Sequence, residues 1–133
     1  MNTEFSNPKW MTWTGRVISA LIVLAMLADG GLKLIKHPEV VKATTKLGFA
    51  ESTIRPIGAC ATIGALLFAF PQTAVLGAIV LTGFFGGAIC THVFVGDNQW
   101  PFALVFGMLT WLGIYLRDAR VRRLIPFRQL QPA

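Results

Sequence analysis

Four apolar runs, separated by short polar segments, organise the chain. The first is Val17–Ile35, nineteen residues. At 1.5 Å per residue they reach about 28 Å, close to the hydrocarbon thickness of a bilayer. Trp10, Trp13 and Arg16 precede the run, as expected at a membrane–water boundary. Its apolar core, Val17–Ala28, has the length of a signal-peptide core, but no clean A-x-A cleavage site follows. The run therefore reads as a retained span over about residues 15–35.

Lys36-His37-Pro38-Glu39 comes next. Pro38 suits the first turn of a new helix, and residues 38–47 read as a short helix closed by Gly48. It is too short to span, so the expectation is an interfacial helix. The second span, about 53–70, opens at Ser52 or Thr53 as N-cap, with Pro56 in its first turn. Pro71-Gln72-Thr73 is a tight connection, which makes the second and third spans antiparallel neighbours. The third span, 74–95, is the most apolar. Gly96-Asp97-Asn98 forms a turn, and the fourth span covers about 100–116. A basic tail, 117–133, follows with Arg117, Arg120, Arg122, Arg123 and Arg128. The expected fold is all-α: one integral membrane domain, a four-helix bundle with a short interfacial helix between its first two spans.

Composition agrees with this pattern. Of 133 residues, 54% are hydrophobic and 14% charged, against about 25% charged in soluble domains. Mean hydropathy is +0.61. A soluble domain this small cannot hide so much apolar surface. The net charge of +6 sits between apolar runs, with no basic helix or aromatic-basic module. It therefore points to loop charges and anionic lipid, with no nucleic-acid partner. Seven basic residues (Lys9, Arg16 and the five tail arginines) flank one side of the spans. Five (Lys33, Lys36, Lys42, Lys46 and Arg55) flank the other. That bias places both termini in the cytoplasm.

Three intramembrane polar residues are candidates for a site: Asp29, Lys33 and His92. Asp29 and Lys33 are four apart on one helix face and can pair. They read either as a stabilising pair, with Lys33 snorkelling to the interface, or as a polar site for a proton or a cationic or hydroxylic ligand. His92 lies at a comparable depth, so an Asp29–His92 contact is one reading. The other is a histidine satisfied by a backbone carbonyl or by Asp97. Cys60 and Cys90 lie inside spans and read as small buried side chains, with a redox pair as the alternative. Cys90 and His92, two apart, point about 200° away from each other on a helix. No H-x-x-x-H, C-x-x-C or E-x-x-H spacing occurs, so no metal site is expected. The sequence contains no G-x-S-x-G, phosphate-binding glycine loop or paired carboxylates. It thus leans away from an enzyme and requires no cofactor, although a lipid or quinone is compatible with its aromatic residues. Gly83 and Gly87 form a G-x-x-x-G pair in the third span, and the second span offers Gly58 and Gly64. These glycines are expected to form the closest helix contact.

Several segments together resemble the DoxX-like family over about residues 14–117. They are Gly30-Gly31-Leu32-Lys33-Leu34, Pro38 with Leu47-Gly48, Arg55-Pro56-Ile57-Gly58, Pro71-Gln72-Thr73, Gly86-Gly87-Ala88-Ile89-Cys90-Thr91-His92-Val93 and Trp111-Leu112. The resemblance implies a small four-helix membrane protein, often associated with respiratory or redox complexes and mostly without a defined activity. Many members carry a glutamate shortly after the glycine that opens the second span. Here that stretch, Gly58-Ala59-Cys60-Ala61-Thr62, has no carboxylate.

The functional expectation is an accessory or structural subunit in a bacterial inner membrane. It would pack against larger membrane partners, respiratory or otherwise energy-converting, or against further copies of itself. The alternatives are a quinone- or thiol-handling redox protein using Cys60, Cys90 and His92, and an oligomeric small-molecule carrier.

Overall fold

Turn chemistry sets the ends of the helices. In the computed structural model, which describes residues 8–127, α1 covers Lys9–Leu34. The short α2 is Pro38–Lys46, followed by a 3₁₀ turn at Glu51–Thr53. Then come α3, Ile54–Ala69, α4, Ala74–Val95, α5, Trp100–Arg117, and α6, Ala119–Leu124. Pro38 opens α2, where its missing N–H costs nothing. The ring nitrogen Nδ1 of His37 caps the same turn by accepting from the Glu39 N–H at 3.3 Å. Gly96 adopts a left-handed conformation (φ 80°) that stops α4. Its N–H donates to the carbonyls of His92 and Val93.

Two boundaries differ from expectation. Helix α1 starts at Lys9, so Trp10, Trp13 and Arg16 lie on its first two turns, with the Arg16 guanidinium 5.8 Å from the Trp13 ring centre. Neither Ser52 nor Thr53 caps α3 with its side chain. The Thr53 hydroxyl instead donates back to the Ala50 carbonyl at 2.6 Å, inside the 3₁₀ turn. Helix α6 was not foreseen. Asp118 begins it by accepting from the Arg120 N–H at 2.8 Å. Arg128 of the basic tail lies outside the described residues.

The four long helices form an antiparallel ring: α1 packs on α3 and α5, and α4 packs on the same two helices. The link Pro71–Thr73 makes α3 and α4 antiparallel neighbours, as the connection predicted. One end of the bundle collects α2, the end of α1 and the start of α3. The other holds the start of α1, the end of α5 and α6. The core contains Ile22 and Met26 of α1, Ala61 and Phe68 of α3, Leu81 of α4 and Ile114 of α5. The outer surface is equally apolar: Leu21, Leu24, Ile63, Ile79, Phe102 and Met108 are each more than half exposed. Only 17–33% of each span is buried inside the bundle. Such an exterior suits hydrocarbon, where helices also satisfy their own backbone polar groups.

Gly83 and Gly87 do not make the expected close contact between α3 and α4. Gly83 and Gly87 are exposed, and a Cβ added at either would meet nothing within 4 Å. The buried face of α4 runs through Ala74, Gly77, Ala78, Leu81 and Phe85. Residues two away from Phe85 point about 200° from it, directly outward. Gly58 packs against α1, where a Cβ would meet the Cβ of Lys33 at 2.6 Å. Gly64 does face α4, but it meets Leu81 and Val80 there. The close approaches use other glycines: Gly77 of α4 lies against the end of α3, where a Cβ would collide with the Phe68 backbone nitrogen, and further ones involve α1. Gly30 meets Gly58 of α3, and Gly15 and Ser19 meet Gly113 of α5.

Candidate functional site

At the α2 end, Lys33 and Asp29 form an ion pair along one face of α1. The Lys33 side chain is 11% exposed and that of Asp29 is 39% exposed. Lys33 leans against the bare backbone of Gly58. The charged pair thus occupies the α1–α3 seam, with its carboxylate the more open partner. Two further links close this end. Arg55 Nε donates to the carbonyl of Leu34 at 3.3 Å, which answers an orphan acceptor at the end of α1. Lys36 lies 3.7 Å from Glu51.

His92 joins Asp97 rather than Asp29. Its Nδ1 is 2.9 Å from each carboxylate oxygen of Asp97, and Asp97 Oδ1 also accepts from the Gln99 N–H at 3.0 Å. The bond to His92, followed by that from Gln99, holds the Asp97 carboxyl below its ordinary pKa. The structure therefore resolves the predicted trio into two separate pairs, Asp29–Lys33 and His92–Asp97. Each is locally closed: one spans a helical turn and the other ties the α4–α5 turn to the end of α4.

Cys60 and Cys90 are unbonded thiols, and both lie exposed on the outside of the bundle rather than buried. No group of three or more His, Cys, Asp or Glu capable of holding a metal occurs among the described residues.

Two features escaped the sequence reading. Arg117 Nη2 donates to the carbonyl of Phe68 at 2.7 Å, and its guanidinium lies 4.7 Å from the centre of the Phe68 ring. An arginine at the end of a span was legible as a boundary charge, but its partner on α3 was not. The second is an apolar furrow of about 590 Å³ between the outer edges of α4 and α5. Thr82, Phe85, Gly107 and Trp111 contribute to its walls. Trp111 Nε1 donates to Thr82 Oγ1 at 2.7 Å, and the Thr82 hydroxyl donates to the Ala78 carbonyl at 2.6 Å. These two polar groups are thus paired inside the furrow.

A closed antiparallel ring of four apolar helices, apolar outside as well as inside, defines a small multi-pass membrane protein. The model of the DoxX-like family matches residues 17–113, and the chain belongs to that family. No curated protein and no solved structure matches the chain.

Proposed function

We propose that this protein is an accessory subunit that docks on a larger membrane assembly, respiratory or otherwise energy-converting, through the outward face of α4. The observation that carries this reading is the placement of Gly83 and Gly87. They are four residues apart, exposed, and not required by any close contact inside the bundle. Glycine at such spacing lets a foreign helix approach the backbone closely. The polar pairs support the same reading, since both are engaged with neighbours on or next to their own helix. In this reading the α6 end faces the cytoplasm, in line with the excess of basic residues flanking it.

The test is purification of the full chain from its native membrane in mild detergent, beside the Gly83→Ile/Gly87→Ile variant. The expected result is a stoichiometric partner with the wild type and loss of that partner with the variant, whose thermal stability stays unchanged. A wild-type monomer without cross-linked neighbours in the membrane overturns the reading. The orientation is checked in a Cys60→Ser/Cys90→Ser background carrying Thr45→Cys or Phe127→Cys. An impermeant thiol reagent applied from outside should label only the first, and labelling of the second alone would reverse the topology.

A further inference from the structure

We draw no further inference here: the strongest candidate, the apolar furrow between the outer edges of α4 and α5, is an unpartnered apolar face, and nothing in the structure shows what covers it.

Discussion

Gly30 of α1 and Gly58 of α3 face each other so closely that a Cβ on either would lie 2.8 Å from the other's carbonyl oxygen. Backbone meets backbone here in the seam that carries the ion pair, as it does where Gly77 of α4 lies against Phe68 of α3. Gly30→Ala should destabilise the bundle by about 1–3 kcal/mol, because backbone stands in the way and must shift. Gly87→Ala should leave it unchanged, since that position opens onto empty space. Thermal unfolding of both variants in detergent checks the contrast. Equal stabilities would remove the α1–α3 seam as a close contact.

How legible these contacts were depends on what surrounds each residue. The bounds of α4 could be read to the residue, because turn chemistry stands on both sides, Pro71–Thr73 before it and Gly96–Asn98 after. The inward face of α4 could not. The helix is apolar all round, so hydrophobicity does not separate core from lipid as it does for a soluble amphipathic helix. Spacing showed that Gly83 and Gly87 permit close approach, but not whether they point into their own bundle. The same ambiguity misplaced Cys60 and Cys90 as buried. Asp29 and Lys33 were legible because a single helix determines their geometry, whereas Arg117 acts across 49 residues of sequence. Helix α6 was hidden by its length, with Val121 its one buried residue.

Asp29 and Lys33 should behave as a coupled pair. Removing one leaves a charge at the α1–α3 seam in a poorly hydrated place, whereas removing both leaves none. Asp29→Asn and Lys33→Met should each cost about 1–3 kcal/mol, the Lys33 site being the more buried. The double variant should cost less than the sum of the two. A cycle of unfolding measurements decides it, and strictly additive losses would mean that the two charges do not interact.

The Asp97 carboxylate gives the α4–α5 turn a pH dependence of definite sign. Its bonds to His92 and Gln99, aided more weakly by the charge of Lys46 on α2, favour the ionised form in the folded protein. A depressed folded pKa contributes stability above the ordinary value of 3.8. That contribution is lost as pH falls through the lower folded value. Stability should therefore decline on acidification below about pH 4, and Asp97→Asn should flatten the decline. Unfolding temperatures of both proteins across this range test it, with parallel curves counting against a role for Asp97.

Arg117 should matter through the end of α3 rather than through its charge alone. The last carbonyls of a helix lack partners within it, and Pro71, just beyond α3, has no N–H to offer. Side chains answer instead: Thr73 Oγ1 donates to the Leu67 carbonyl at 2.7 Å, and Arg117 donates to that of Phe68. At a membrane boundary an unanswered carbonyl is costly, because the hydrocarbon side supplies no water. Arg117→Met should lose about 1.5–3 kcal/mol, the usual worth of a hydrogen bond to a charged group. Arg117→Lys should recover only part of this, since an ammonium lacks the planar group that lies over the Phe68 ring. If Lys restored full stability, a boundary charge at this position would suffice. If Met had no effect, the Phe68 carbonyl would have found another donor.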